Sequence, residues 1–282
     1  MEPLQVEQRG YLNEEFRLFH LADDKRQEEI AYHYHTFHKV ILLLAGRADY
    51  AVEGEHFHLQ PGDFVLVGRG SIHRPEVAEG DFYERVILYI SPEYLQKLGE
   101  EDLGWCFSQA QQRFHYVYHS AGNDSIRKLL YELECAARDS GFGSGILRRG
   151  IFAQLMVALN RAVAEGESVN AAAGDTKVVA VLQYLNTHLT EELSIEELAA
   201  RFYISKYHLM RRFRSETGYT IHNYITEKRL LLAQQMLKKR VPLWQAAESC
   251  GYQDYSTFSR AYKKQFGYAP SKELREEDKK IS

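Results

Sequence analysis

The sequence predicts an α+β protein with two domains: a small N-terminal β-barrel with attached helices, and an all-α C-terminal domain with two helix-turn-helix motifs. Three observations lead to this prediction. A length of 282 residues suits about two domains. Short apolar stretches separated by turn residues fill residues 10–90, whereas helical patterns fill most of the remainder. Finally, one helical sequence near the C-terminus occurs twice, 49 residues apart.

Residues 10–90 contain several candidate strands. KVILLLAG, ADYAVEG and DFVLVG are rich in strand-forming residues, and the turn sequences EGEH, PGD and GRGS lie between and after them. Short strands at such close spacing are typical of a small barrel or a sandwich.

Residues 92–164 have a helical pattern. Such helices either cover the barrel or pair with a second copy of the chain, and the pattern fits both. One apolar stripe at helical spacing consists of Ile126, Leu129, Leu130 and Leu133, and a second of Ile151, Phe152, Leu155, Met156 and Leu159.

A domain boundary is expected at EGESVNAAAGD, residues 165–175, which lacks large apolar residues and is predicted to be a linker. This places an N-terminal domain at residues 1–164 and a C-terminal domain at residues 176–282. The charge changes near the same point, from a net −9 over residues 1–174 to a net +5 over residues 175–282. A basic domain after an acidic one indicates a nucleic-acid partner for the second domain.

The composition argues against several classes of protein. No run of about 18 apolar residues is present, so no membrane span is expected. The first residues, MEPLQVEQRG, lack the basic and apolar regions of a secretion signal. The cysteines, Cys106, Cys135 and Cys250, are scattered, which fits free thiols in a reducing cytoplasm. No nucleophile–base pair or glycine-rich phosphate loop is evident, so no catalytic residue and no cofactor is predicted.

The C-terminal domain is predicted to consist of short helices. Ser194 and Glu197 form a capping box that opens the helix IEELAARF. A longer helix runs from Thr220 to Lys239, and the prolines at 242 and 270 begin two more.

Two of these helices are copies of one another. SKYHLMRRFRSETGY, residues 205–219, aligns with DYSTFSRAYKKQFGY, residues 254–268, so that apolar residues and a helix-ending glycine match. Each copy follows a short alanine-containing helix, and Ala199 matches Ala247 at an offset of 48. The second copy therefore has one extra turn residue, and Gly251 suits a positive φ there. A short helix, a tight turn and a longer helix together make a helix-turn-helix.

The polar faces of the two copies carry candidate DNA contacts. A helix fits the major groove, and arginine can donate two hydrogen bonds to guanine. Arg211 and Arg260 occupy the same position in the two copies. The two copies are joined by a predicted helical stem, HNYITEKRLLLAQQMLKK. A rigid stem would let both helices read major-groove segments about 34 Å apart. A merely solvated basic face is the alternative. The candidates are Lys206, Tyr207, Met210, Arg211 and Arg214 in the first copy, and Tyr255, Ser256, Thr257, Arg260 and Lys264 in the second.

The copies and their surroundings form the segments SIEELAARFYISKYHLMRRFRSETGYTIHNYITEKRLLLAQQML and GYQDYSTFSRAYKKQFGYAPSKELR. This part, about a third of the chain, resembles the DNA-binding domain of the AraC/XylS family of bacterial transcriptional regulators. The resemblance implies base contacts by Tyr207, Met210 and Arg211 in the first copy, and by Tyr255, Ser256, Thr257 and Arg260 in the second. A polar residue is frequent at the position of Met210, so contact with a thymine methyl group is expected here.

Histidines in the N-terminal domain form a second candidate site. His33 and His35 lie two residues apart on a predicted strand, so their side chains share one face, and His73 can join them inside a barrel. Three converging imidazoles would suit Zn, Fe, Ni or Cu. The pattern resembles a cupin barrel, the usual sensor of sugar-responsive members of the AraC/XylS family. In metal-binding cupins a glutamate follows the histidine pair, and Lys39 stands at that place here, which argues against a metal.

Three interpretations of His33 and His35 stay open. They contact a ligand at the barrel mouth, or they are structural strand residues with satisfied hydrogen bonds, or they bind a metal together with His73. Arg47 and Tyr50, assigned to the next strand, are candidate partners for a polar ligand. The ligand-binding candidates are thus His33, His35, Arg47, Tyr50 and His73, and no metal ligand is assigned.

These observations favour a transcriptional regulator. A small-molecule effector, by resemblance a sugar or a related metabolite, would bind the N-terminal domain and change how DNA is engaged. Double-stranded DNA, a second copy of the chain and RNA polymerase are the expected partners. Two alternatives remain: a regulator that works through a protein partner at the helix of residues 126–133, and a metal-dependent cupin enzyme joined to a DNA-binding domain.

Overall fold

The computed structural model describes residues 12–23, 30–77, 82–99, 102–119, 124–166, 168–172 and 175–274. It divides into two compact units, residues 1–174 and residues 175–282. The N-terminal decapeptide MEPLQVEQRG and the last residues of the predicted helix SKELREE lie outside the described residues.

Within the described part of the first unit, eight strands form two antiparallel sheets, and these make up the predicted barrel. The larger sheet has the order β1-β7-β2-β5-β8 and the smaller one the order β4-β3-β6. The three predicted strands are confirmed as β2, β3 and β5. The strands are β1 (Phe16–Asp23), β2 (His38–Gly46), β3 (Ala48–Val52), β4 (Glu55–Leu59), β5 (Asp63–Val67), β6 (His73–Glu76), β7 (Tyr83–Ile90) and β8 (Val117–His119).

In the described part of this unit, four helices accompany the strands: α1 (Pro92–Lys97), α2 (Trp105–Arg113), α3 (Asp124–Arg138) and α4 (Ser144–Glu165). The second predicted apolar stripe lies in α4 and is buried, and its Phe152 ring stacks on Phe16 of β1 with centroids 4.3 Å apart. The helices therefore cover the sheet. The first stripe lies in α3, where Ile126, Leu130 and Leu133 are buried.

The prediction of a continuous helical zone over residues 92–164 is wrong at one place. Val117–His119 forms the edge strand β8, which pairs antiparallel with β5. The physical reason is long-range: β5 would otherwise leave its backbone donors and acceptors unpaired at a sheet edge, and β8 satisfies them.

The predicted linker segment stays hydrogen-bonded to the first unit over part of its length. The Val169 N–H donates to the Val117 carbonyl at 2.8 Å, and the Ala172 N–H donates to the His56 carbonyl at 2.7 Å. The backbone follows the surface of the first unit at least to Ala172.

The described part of the second unit is helical. It contains α5 (Thr176–Thr187), α6 (Ile195–Arg201), α7 (Lys206–Thr217), α8 (Ile221–Lys238), α9 (Leu243–Ser249) and α10 (Tyr255–Phe266), followed by a helical turn at residues 271–274. Ser194 accepts a backbone hydrogen bond at the start of α6, as the sequence predicts, and Thr220 does the same at the start of α8. No helix among the described residues has the length and apolar character that a membrane crossing requires.

The turns of the two helix-turn-helix motifs differ by one residue. Residues 202–205 separate α6 from α7, whereas residues 250–254 separate α9 from α10, which confirms the predicted insertion. The chain takes a left-handed conformation at Tyr203 (φ +50°) in the first turn and at Gly251 (φ +78°) in the second. Gly251 also approaches other backbone closely, because a Cβ there would lie 2.7 Å from the Thr190 carbonyl oxygen.

We expect Gly251→Ala to cost clearly more stability than Gly267→Ala. Both glycines have φ near +80°, but a Cβ at Gly267 would meet no atom within 4 Å. The left-handed backbone conformation alone should cost alanine about 1 kcal/mol of unfolding free energy at each site. The close contact at Gly251 should at least double the loss at that site. Urea denaturation followed by circular dichroism measures both losses, and equal losses would contradict the close approach.

Candidate functional site

The first candidate recognition helix is α7. The Ser205 hydroxyl accepts the His208 N–H at 3.3 Å and so caps its N-terminus. Leu209 and Phe213 are buried, and the Phe213 ring meets Tyr224 of α8 edge-on with centroids 5.6 Å apart. One face of α7 is thereby held on α8, and the opposite face is left to solvent.

The second candidate recognition helix, α10, is built in the same way. The Asp254 carboxylate accepts the Thr257 N–H at 2.7 Å at its N-terminus. Phe258 and Tyr262 are buried in a cluster that includes Leu230 of α8. Both helices therefore pack on one stem, α8, through apolar residues at equivalent positions.

All ten residues predicted to contact DNA are exposed on these two helices. Arg211 follows the buried Leu209 by two residues, and Arg260 follows the buried Phe258 by two. Two residues are about 200° apart on a helix, so each arginine points away from the face that packs on the stem. The exposed residues are Lys206, Tyr207, Met210, Arg211, Arg214, Tyr255, Ser256, Thr257, Arg260 and Lys264.

Some of these side chains already have partners within the chain. Lys206 forms an ion pair with Glu196 of α6, and this hydrogen bond holds the pKa of Glu196 below its ordinary value. The Arg260 Nε donates to the Ser256 carbonyl at 3.3 Å, and the Thr257 hydroxyl donates to Asp254 at 2.8 Å. These groups are exposed, so exchanging such contacts for contacts with DNA costs little.

Arg229 of α8 joins the two motifs, a role that the sequence pattern does not reveal. Its Nε donates to the Leu189 carbonyl at 2.7 Å, and its Nη2 donates to the Glu191 carbonyl at 2.5 Å, ahead of α6. Its Nη1 donates to the Gly251 carbonyl at 3.1 Å, in the turn of the second motif. One guanidinium group thus ties a loop of the first motif and the turn of the second to the same stem.

Glu273 anchors the C-terminal helical turn to the same unit. Its side chain is buried, and Oε1 accepts hydrogen bonds from Gln234 Nε2 at 2.8 Å, Tyr262 OH at 2.9 Å and Tyr268 OH at 2.5 Å. Burial and the Glu273 charge both raise the pKa of Tyr262. The carboxylate therefore connects α8, α10 and the residues after α10.

In the first unit, the structure brings His33, His35 and His73 together, as predicted. The ring centroids of His73 lie 4.4 Å from those of His33 and 4.9 Å from those of His35, and all three side chains are buried. The prediction of a strand at His33 and His35 is wrong. They lie outside the regular strands. The chain pairs with β6 there only through an isolated antiparallel bridge between His33 and His73, which is too short to form a strand.

Backbone carbonyls orient two of these rings. His33 Nδ1 lies 2.9 Å from the Ala31 carbonyl, and His73 Nδ1 lies 2.9 Å from the Ser71 carbonyl. A carbonyl oxygen only accepts, so each Nδ1 carries a proton, and Nε2 is the acceptor nitrogen of the neutral ring. His73 Nε2 is buried and has no hydrogen-bond partner among the described residues. Burial is the main cause that holds the pKa of His73 well below its ordinary value, and the nearby Lys39 amine lowers this pKa further.

Lys39 and Tyr50 lie beside the histidine cluster. The Lys39 Nζ on β2 donates to the Tyr50 hydroxyl on β3 at 3.3 Å, so the inner faces of the two sheets meet here. The Tyr50 ring is nearly parallel to that of His73, with centroids 6.1 Å apart. Burial and the neighbouring Arg85 lower the pKa of Lys39 to about 7. The sequence marked Lys39 only as a departure from the cupin pattern, whereas the structure places it beside the histidine cluster.

Aromatic side chains close the other side of the cluster. The His35 ring stacks on Phe37 with centroids 4.5 Å apart, and Tyr89 of β7 lies 5.7 Å from His35. Tyr89 is 54 residues away in the chain, so no local pattern assigns it to the pocket. Rings beside polar groups suit a ligand that has both apolar and hydrogen-bonding faces.

The assignment of Arg47 to the next strand and to the pocket needs correction. Arg47 precedes β3 and its side chain is exposed, so it is not part of the buried cluster. The reason is the turn at Gly46, where φ is +89° and a Cβ would lie 1.7 Å from the Phe82 carbonyl oxygen. The chain passes there from the larger sheet to the smaller one, and Arg47 lies exposed between β2 and β3.

The residues of the pocket fit a metal in part. One ligand nitrogen from each of His33, His35 and His73 lies within 4.8 Å of the others. Three imidazole ligands suit a borderline transition metal. The position where metal-binding cupins carry a glutamate holds Lys39, which supplies no negative charge.

Solved structures of other proteins match this chain with limited superposition. ToxT from Vibrio cholerae is 14% identical, with a TM-score of 0.36, over 93% of this chain and 98% of that one. The C-terminal domain of AraT, a response regulator from Geobacillus stearothermophilus, is 28% identical, with a TM-score of 0.35, over 36% of this chain and 85% of that one.

Family models and curated relatives cover both units. The model of the AraC-like ligand binding domain matches residues 16–156, half of the chain, and a helix-turn-helix domain model matches residues 198–276. The probable transcriptional regulator LumQ of Photobacterium leiognathi is 26% identical over 86% of this chain and 90% of its own length. The HTH-type transcriptional activator RhaS of Citrobacter koseri is 26% identical over 84% of this chain and 85% of its own length. The chain therefore belongs to the AraC family of DNA-binding transcriptional regulators, with a cupin-like ligand-binding domain ahead of its helix-turn-helix domain.

Proposed function

We propose that the protein regulates transcription by reading a specific DNA site with α7 and α10 together, under the control of a small-molecule effector bound in the first unit. The observation that carries the proposal is the matched exposure of Arg211 and Arg260 on two helices that pack on one stem. Arginine at the N-terminal half of a recognition helix reads guanine by a bidentate hydrogen bond. Tyr207, Met210, Tyr255, Ser256 and Thr257 supply the other base contacts, and Lys206, Arg214 and Lys264 contact phosphates.

The effector site of this proposal is the pocket of His33, His35, His73, Tyr50 and Lys39. Its mixture of buried hydrogen-bonding groups and aromatic rings suits a sugar or a related metabolite, whose hydroxyl groups bind polar side chains and whose ring faces pack on aromatic ones. A thermal-shift screen of the full chain against such metabolites tests this assignment. The true effector should raise the unfolding temperature by several degrees, and Tyr50→Ala should abolish the shift. A shift that persists undiminished in this variant would place the effector elsewhere.

A second copy of the chain is proposed to pair along α3 and α4. A groove of about 640 Å³ lies between these helices and includes Leu129 and Val157, and Val157 is 36% exposed. Exposed apolar surface of this kind marks interaction sites. Sedimentation should show a dimer that Val157→Glu dissociates, whereas a monomer at all concentrations would contradict the pairing. RNA polymerase is the further partner proposed at the promoter.

DNA affinity should fall steeply with salt, because lysine and arginine displace counterions from phosphates. Replacing Lys264 on α10 with glutamine should make the plot of log K against log salt shallower by about 1. Lys128→Gln on α3 is the matched control, since Lys128 is exposed and lies in the first unit. Fluorescence anisotropy with a labelled promoter fragment measures both slopes, and identical slopes for wild type and Lys264→Gln would remove this phosphate contact.

A further inference from the structure

One histidine of the cluster has a buried ring nitrogen that accepts no hydrogen bond from the described residues. His33 and His73 each donate from Nδ1 to a backbone carbonyl, so coordination of an ion by either ring would use Nε2. His73 is fully buried, and its Nε2 has no hydrogen-bond partner within the described ranges of the chain. A buried polar atom without a partner calls for an explanation such as a bound ion or ligand.

We propose that His33, His35 and His73 bind a divalent transition-metal ion, with His33 and His73 coordinating through Nε2. A histidine ligand typically donates its other ring nitrogen to a carbonyl, which fixes the tautomer and the ring orientation, and His33 and His73 already do so. Three nitrogens bound to one zinc ion at about 2.1 Å lie about 3.4 Å apart in tetrahedral geometry. The candidate ligand atoms lie within 4.8 Å of one another, so small ring rotations bring them into place.

The neighbours of the site define which ion and which further ligand it takes. The cluster contains histidines and, among the described residues, no carboxylate. A set of three imidazoles favours zinc, copper, nickel or iron over calcium and magnesium, which prefer oxygen ligands. The ion would keep its double positive charge and an open coordination position near Lys39 and Tyr50. An anionic or hydroxyl-bearing molecule fits that position, because it can coordinate the ion and accept a hydrogen bond from the Lys39 amine.

Metal binding by this cluster does not depend on the proposed DNA function, although its use as part of an effector site rests on that proposal. The two are therefore measured separately on the same preparations of the full chain. Titration calorimetry with zinc chloride measures metal binding after dialysis against a chelator, and anisotropy with promoter DNA measures DNA binding. If the wild-type chain binds zinc but does not bind promoter DNA, the proposed function is wrong and the metal site still stands.

The variants isolate the cluster. We expect one zinc ion per chain in the wild type, at least a 100-fold weaker affinity in His73→Gln, and no change in His58→Gln, because His58 lies exposed on β4. Titration with cobalt should give visible absorption bands of histidine-bound Co²⁺ in the wild type and in His58→Gln, and these bands should be absent in His73→Gln. Zinc binding of equal affinity in wild type and His73→Gln, or no zinc binding in the wild type, would overturn the proposal.

Lys39→Glu supplies a second test that leaves all three histidines in place. A carboxylate at this position adds a negatively charged ligand beside the ion, so zinc affinity should rise at least 10-fold, whereas Lys39→Met should change it less. Circular dichroism confirms the fold of each variant. If Lys39→Glu binds zinc no more tightly than Lys39→Met, the ion does not lie beside residue 39 and the proposed site is wrong.

Discussion

Specific DNA binding should collapse when Arg211 and Arg260 are both replaced by alanine. Each side chain is exposed on the face of its helix that points away from α8. A bidentate contact to guanine is worth about 1–3 kcal/mol, so the double variant should lose about 2–6 kcal/mol of discrimination. That corresponds to at least about a 30-fold weaker affinity for the correct promoter. Gel-shift titration with specific and scrambled DNA measures the loss.

The matched control is the double variant Arg127→Ala with Arg149→Ala. These arginines are exposed on α3 and α4 of the first unit, and the change in net charge is the same. The control should bind the promoter as the wild type does, and both variants should unfold at the wild-type temperature. Unaltered affinity in the Arg211 and Arg260 variant would mean that α7 and α10 do not read bases through these arginines.

Replacing Glu273 with alanine should destabilise the second unit by about 3–5 kcal/mol. Three hydrogen-bond donors, from Gln234, Tyr262 and Tyr268, converge on the Glu273 Oε1. The substitution removes the acceptor that these three donors share, and a buried donor left unsatisfied costs about 1–3 kcal/mol. DNA affinity should fall with stability, because α10 packs on the same cluster.

Urea denaturation with tryptophan fluorescence measures this loss. The chain has two tryptophans, Trp105 in the first unit and Trp244 on α9 of the second. In a Trp105→Phe background the signal reports the second unit alone, which avoids treating two units as one transition. Glu248→Ala, an exposed change on α9, is the control. A Glu273→Ala midpoint equal to that of the control would show that the hydrogen bonds at Glu273 contribute nothing net.

Several parts of the fold could be predicted because their signals are local. The strands β2, β3 and β5 follow from apolar runs between turn residues, and the start of α6 follows from the capping residue Ser194. The extra turn residue at Gly251 follows from the mismatch between the offsets 48 and 49 of the two copies. The strand β8 could not be predicted, because three residues are too few to show an alternating pattern. Its formation depends on pairing with β5, which lies more than 50 residues earlier in the chain.

The candidate sites show the same division. The exposed faces of α7 and α10 follow from helical periodicity, because a buried stripe determines which residues face outward. Arg47 was placed wrongly, because the sharp turn at Gly46 depends on a close approach to Phe82, which is 36 residues away. Arg229 and Glu273 could not be found from sequence, because their partners are backbone carbonyls and side chains brought together only by helix packing.

By itself, the sequence determined the two-domain organisation, the duplicated helix-turn-helix and the residues on its outer faces. Each of these depends on spacing along a single segment, and such spacing survives without knowledge of the fold. Only the tertiary structure decided that Lys39 and Tyr89 lie beside the predicted histidine cluster and that Arg47 does not. These residues come from separate stretches of chain, and their positions depend on how the strands pair and the two sheets pack, which no local pattern encodes.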